Sequence, residues 1–160
     1  MLFGRKRRTA IFSPTAGKLI PMSRVNDPTF SEEILGKGFA ICPSEGKIVS
    51  PVNGIIEQVF RTCHAISLVS DDGAEILIHV GLNTIELKGE FFKPHCSEGD
   101  IVLPGDLILE FDLKSISDAG YDITTPVVIC NSNEFEGFTE QIERTVSIGD
   151  EILSLKRNTR

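Results

Sequence analysis

Apolar residues in this chain come in short alternating runs, punctuated by Gly, Pro, Asn or Asp. Runs over Gly38 to Cys42, Gly54 to Phe60, Ala65 to Val69 and Ala74 to Val80 each predict a strand. So do Ile101 to Leu103, Leu107 to Phe111, Pro126 to Cys130 and Glu151 to Leu155. Helical signals are minor. One turn is expected at Ser31 to Leu35 with Ser31 as N-cap, and another over Lys114 to Ala119, ended by Gly120. Short strands with regular turn signals predict an all-β fold, an antiparallel β-sandwich or barrel with one or two short helical turns. No linker divides the chain, so residues 11–160 are expected to form a single domain behind a basic tail over 1–10.

Two internal echoes sharpen that architecture. Phe12-Ser13-Pro14-Thr15-Ala16-Gly17 matches Val49-Ser50-Pro51-Val52-Asn53-Gly54. Proline presets the first turn position and glycine supplies a permissive backbone, so each reads as a strand–turn–strand corner. Val102-Leu103-Pro104-Gly105-Asp106-Leu107-Ile108-Leu109 is echoed by Val146-Ser147-Ile148-Gly149-Asp150-Glu151-Ile152-Leu153. Such corners resemble the punctuation of lipoyl- and biotinyl-type hybrid motifs. Each half occurs twice, which predicts a duplicated hybrid motif: two interleaved copies in one sandwich.

Composition narrows the class. The chain has 160 residues, enough to bury a core unaided, with 41% apolar and 24% charged residues. A net charge of −7 argues against nucleic acid as the main partner. No apolar run reaches the length of a transmembrane segment, and no secretory signal is present. Cys42, Cys63, Cys96 and Cys130 are scattered singly, as expected of reduced thiols in a cytoplasmic protein. The cluster Arg5-Lys6-Arg7-Arg8 reads as a solubilising tail; three preceding apolar residues are too few to anchor it to lipid.

The candidate chemistry lies in the segment from Thr62 to Gly81, which reads as a hairpin turning at Ser70-Asp71-Asp72-Gly73. A loop of Asp71-Asp72 or Ser70 to Gly73 places His64 and His79 face to face; a loop of Asp72-Gly73 makes them diagonal neighbours. Any even loop without a bulge sets both rings on one face. Thr62, His64, Ile66 and Leu68 then share a face of the first strand, and Glu75, Leu77 and His79 a face of the second. Ile66 and Leu77 would form an apolar collar suited to docking, and Gly81 would leave room for a partner. His95 reads as a surface loop residue.

Phe60-Arg61-Thr62-Cys63-His64-Ala65, Ser70-Asp71-Asp72-Gly73 and above all Ile78-His79-Val80-Gly81-Leu82-Asn83-Thr84-Ile85-Glu86-Leu87-Lys88-Gly89-Glu90-Phe91-Phe92 carry a family resemblance. They are similar to the glucose-type enzyme IIA component of the bacterial phosphoenolpyruvate-dependent sugar phosphotransferase system. Phe111-Asp112-Leu113 and Thr125-Pro126-Val127-Val128-Ile129 also fit, so the resemblance runs from about Ile11 to Leu155. It implies a phosphotransferase that carries a phosphoryl group covalently, with no cofactor. His79 matches the phosphoacceptor, which takes the group on Nε2 from HPr and passes it to a cysteine of a IIB domain. His64 matches the histidine that supports the phosphorylated ring, and Thr62 the threonine that orients His64. Phe60, Ile66, Leu77, Gly81 and Asn83 are expected to meet partners. Asn83 departs from the family string, where an aspartate is usual, and this bears on which IIB domain docks.

Other readings fare worse. Cys63 beside two histidines suggests zinc, but alternation points it to the opposite face, so no metal is expected. A lipoyl or biotin carrier lacks its turn lysine, and without a Walker-type loop phosphate must arrive already on a protein. The remaining alternative is a regulatory binding protein on the same fold. Its phosphorylation state would switch contacts with transporters or kinases. Residues outside 11–155 leave no room for IIB or IIC, so a free-standing component is expected.

Overall fold

The computed structural model describes residues 8–158. Its strands in chain order are β1 (Arg8–Phe12), β2 (Gly17–Pro21), β3 (Lys37–Pro43), β4 (Lys47–Val49), β5 (Gly54–Val59), β6 (Ala65–Ser70) and β7 (Glu75–His79). There follow β8 (Phe92–Pro94), β9 (Ile101–Val102), β10 (Leu107–Phe111), β11 (Thr125–Ile129), β12 (Phe135–Glu136), β13 (Arg144–Val146) and β14 (Glu151–Arg157). Helix is confined to α1 (Pro28–Ser31), α2 (Leu113–Asp118) and short 3-10 turns, of which Thr84–Leu87 matters most for the site. The largest sheet has eight strands in the order β13-β2-β3-β11-β7-β6-β5-β9; two three-stranded sheets, β4-β10-β8 and β1-β14-β12, complete the fold. The ladders are antiparallel.

The two sequence echoes meet in space with their halves exchanged. Ser13 N donates to the Asp150 carbonyl at 2.7 Å, and Gly149 N returns to the Ser13 carbonyl at 3.1 Å. In the second copy Ser50 N donates to Asp106 O at 2.8 Å and Gly105 N to Ser50 O at 3.0 Å. The two Ser-Pro corners also clasp each other: Phe12 N reaches Pro51 O at 3.0 Å and Val49 N reaches Pro14 O at 2.8 Å. Each serine hydroxyl donates to the carbonyl two residues on, Ser13 to Thr15 and Ser50 to Val52, both at 2.7 Å. Two interleaved copies therefore build one sandwich. Backbone groups at these buried corners are satisfied by the partner copy, as burial demands.

Between the layers lies one apolar core, including Ile11, Leu19, Phe39, Ile56, Leu68, Ile78, Ile108 and Leu153. A second cluster of Ile20, Met22, Val25, Phe30, Ala40, Leu82 and Val128 packs on the other face of the large sheet, with Leu77 against it.

Two expectations need correction. The first helix spans Pro28–Ser31, so Ser31 ends it rather than capping it. Asp27 is the N-cap, its carboxylate accepting from Thr29 N at 3.0 Å, and Pro28 has its φ preset for a first helical residue. That Asp-Pro start outcompetes Ser31. Further, β1 begins at Arg8, paired with Lys156, so Arg8 to Ala10 belong to a sheet and not to a tail. The rest of the basic tail lies outside the described residues.

Candidate functional site

The hairpin of β6 and β7 positions the histidines, but with a different register from that expected. Val69 faces Glu75 and Ala65 faces His79. Ser70 N donates to Ala74 O at 2.9 Å and Gly73 N to Ser70 O at 2.9 Å, leaving Asp71, Asp72 and Gly73 as a three-residue loop. Gly73 takes a φ of +86°, and Ser70 Oγ accepts from Ala74 N at 2.9 Å, fixing this odd-length turn. Strand parity is thereby inverted. Ile66 pairs with Ile78 in the main core and is 1% exposed, so it is not part of an apolar collar. Leu77 is half-buried and packs on the second cluster beneath the site.

The two imidazoles nevertheless meet. His79 ends β7, while His64 precedes β6 and follows Cys63, whose φ of 59° breaks the strand alternation. The His64 backbone is held by Val80 N, which donates to its carbonyl at 2.8 Å. The ring centroids are 4.7 Å apart, edge to face at 85°. His64 is buried at 3% exposure, and His79 is half-buried.

Each ring has one nitrogen engaged. Thr62 Oγ1 lies 2.6 Å from Nδ1 of His64. Nδ1 of His79 lies 2.8 Å from the carbonyl oxygen of Gly81, which can only accept. His79 therefore carries its proton on Nδ1, leaving the lone pair on Nε2. Burial, and to a lesser degree the neighbouring His79, pull His64 from 6.5 down to about 4. Burial also lowers His79, opposed by the Gly81 hydrogen bond and the charge of Asp27. Both rings are neutral near pH 7, and a neutral imidazole is nucleophilic.

Aromatic rings frame the pair. Phe60, half-buried, meets His64 edge-on with centroids 5.8 Å apart, and Phe30 of α1 lies 5.1 Å from His79. Phe30 and Asp27 escaped the sequence reading, because nothing local in Asp27-Pro28-Thr29-Phe30 says which strand that short helix will cover. Gly81 is buried with a φ of +79°, and a Cβ there would sit 2.5 Å from Thr84 Cγ2 and 3.1 Å from Asp122 O. Its lack of a side chain serves this internal contact, so clearance for a partner is not its structural reason. Asn83 is exposed with φ 61° and ψ 16°, a left-handed conformation that asparagine tolerates well. His95 stands apart, its Nε2 2.5 Å from a Glu110 carboxylate. Among the described residues no three His, Cys, Asp or Glu side chains are grouped to hold a metal ion.

Residues 9–135 match the family model described as phosphoenolpyruvate-dependent sugar phosphotransferase system, EIIA 1. The chain belongs to this family. It is 50% identical over 128 residues to a β-glucoside-specific EIIBCA component of Bacillus subtilis, covering 80% of this chain and 21% of that protein. A glucose-specific EIIA component of Halalkalibacterium halodurans is 41% identical over 140 residues, covering 88% of this chain and 81% of the relative. This EIIA chain spans only about a fifth to a quarter of the β-glucoside relatives it matches, 21% to 24%. The solved glucose permease IIA from Mycoplasma capricolum superposes with a TM-score of 0.87 at 31% identity, covering 96% of this chain and 99% of that one. The chain is thus a phosphocarrier of the EIIA class, on an antiparallel β fold shared with that structure.

Proposed function

We propose that His79 is the phosphoacceptor and His64 its supporting donor in a relay from phospho-HPr to a cysteine of a IIB domain. The observation that carries this reading is the pair of rings 4.7 Å apart, with Nδ1 of His79 occupied by Gly81. In the first step the Nε2 lone pair of His79 attacks phosphorus, and the P–N bond to the HPr histidine breaks. In the second, a IIB thiolate attacks, the P–N bond to His79 breaks, and a P–S bond forms. The phosphoryl group is held covalently throughout, so the reading calls for no cofactor or metal.

His64 acts on charge rather than on bonds. If the Thr62 hydroxyl donates to Nδ1 of His64, the opposite nitrogen bears a proton that can reach a phosphoryl oxygen. Phosphoryl transfer needs mainly positioning and stabilisation of spread negative charge. Loss of one such donor typically slows transfer by about 100- to 1,000-fold. Phe60 and Phe30 supply apolar surface beside the rings, and Asn83 is the exposed position at which partner choice would be read. Among the described residues no helix is long and apolar enough to cross a membrane; a cytoplasmic place beside the permease fits the relay.

The test is staged transfer of labelled phosphate from phospho-HPr. His79→Gln is expected to accept none. His64→Gln is expected to accept but to pass the group to IIB poorly. A His79→Gln protein that labels fully would overturn the assignment.

A further inference from the structure

The hydrogen bond that assigns the His79 tautomer hangs on a single carbonyl, and the carbonyl is held from two sides. The Gly81–Leu82 peptide is trans, so its C=O and N–H point in opposite directions. Its N–H donates to the Asp122 carbonyl at 2.8 Å, which turns the Gly81 oxygen toward His79. The preceding peptide is fixed by Thr84, whose hydroxyl donates to the Val80 carbonyl at 2.5 Å. Val80 N in turn donates to His64 O at 2.8 Å, so the same residue is tied to both histidine segments. Thr84 is fully buried, and its Cγ2 methyl fills the space that a side chain at position 81 would need. Asp122 is braced as well: its Oδ1 accepts from Thr124 N at 2.9 Å.

We infer that Thr84 is a positioning residue whose hydroxyl, through the Val80 carbonyl, aims the Gly81 oxygen at Nδ1 of His79 and so leaves Nε2 as the nitrogen free to react. This rests on the reading of His79 as phosphoacceptor. Thr84 itself touches neither ring. Its effect is on which of two nitrogens holds the proton, a property that general loosening of the fold would not report. Without the hydroxyl, Val80 O loses its partner in the interior, the left-handed bend at Gly81 relaxes, and the proton distributes between the two ring nitrogens.

The experiment is long-range proton–nitrogen NMR of the imidazoles in the unphosphorylated, nitrogen-15-labelled full chain, alongside transfer from phospho-HPr. The native protein should show His79 as the Nδ1–H tautomer. Thr84→Val keeps the shape but not the donor, and should show a mixture with transfer slowed about tenfold, the weight of one ordinary hydrogen bond. Thr84→Ser restores the donor and should restore the tautomer. Asp122→Ala removes an exposed side chain that braces the second arm; it should shift the mixture the same way, which keeps the test decisive if Thr84→Val fails to fold. A pure Nδ1–H tautomer in whichever of Thr84→Val and Asp122→Ala folds would overturn the inference, as would a scrambled tautomer in Thr84→Ser. Because the tautomer is read without phosphate or partner, its result stands apart from whether the chain relays phosphate.

Discussion

Both histidines are shifted the same way by burial, and the shift has a consequence for stability. His64 titrates at 6.5 in its ordinary state and at about 4 in the fold. Between those values the unfolded chain takes up a proton that the native ring refuses, so the native state loses ground as pH falls. The contribution is complete above 6.5 and is lost progressively toward 4. Urea-unfolding midpoints across that window should therefore drop for the native chain and drop less for His64→Gln; parallel curves would contradict the burial account. The residues that produce this effect were largely legible. His79, His64 and Thr62 stood out because the strings around them resemble the enzyme IIA family, and the structure brings the three together although the hairpin register differs from the one expected. Phe30 and Asp27 were not legible. Phe30's ring contact with His79 and Asp27's charge acting on it both reach from the start of α1 to β7, and no local pattern encodes such a crossing.

At the scale of elements, the hairpin shows how one residue can redirect a whole strand. Ser70-Asp71-Asp72-Gly73 reads as an even-length loop, centred on Asp71-Asp72 or on Asp72-Gly73, yet Ser70 and Gly73 stabilise a three-residue loop. The pairing therefore moves by one position, and every side chain on one strand exchanges faces relative to the other. Ile66 went to the core for this reason, and the histidines meet only because Cys63 interrupts the alternation before His64. The Ser-Pro corners were legible in full, since turn chemistry is local. They also make a symmetrical prediction. Ser13 and Ser50 are buried, and each donates to a carbonyl at 2.7 Å. Replacing either by alanine leaves that carbonyl unpaired and should cost about 1–3 kcal/mol. Chemical denaturation of Ser13→Ala and Ser50→Ala should give similar losses. A large loss at one corner and none at the other would show that the two copies are not equivalent in energy.

For the molecule as a whole, the repeated corners foretold the architecture better than strand counting did. β8, β12 and β13, of two or three residues each, are too short to announce themselves, but the two echoes predicted interleaved copies, which the structure builds with their halves exchanged. The exchange ties residues near both chain ends and residues near the middle into one core, so the hairpin is carried on a frame that is anchored throughout. On that frame the proposed relay needs little more than one ring nitrogen free to react and one ring held behind it. The most direct measurement is incubation with enzyme I, HPr and phosphoenolpyruvate, followed by mapping of the acid-labile phosphate to residue and ring atom. The account predicts one phosphoryl group, on Nε2 of His79. Phosphate on His64, or on Nδ1 of His79, would contradict it.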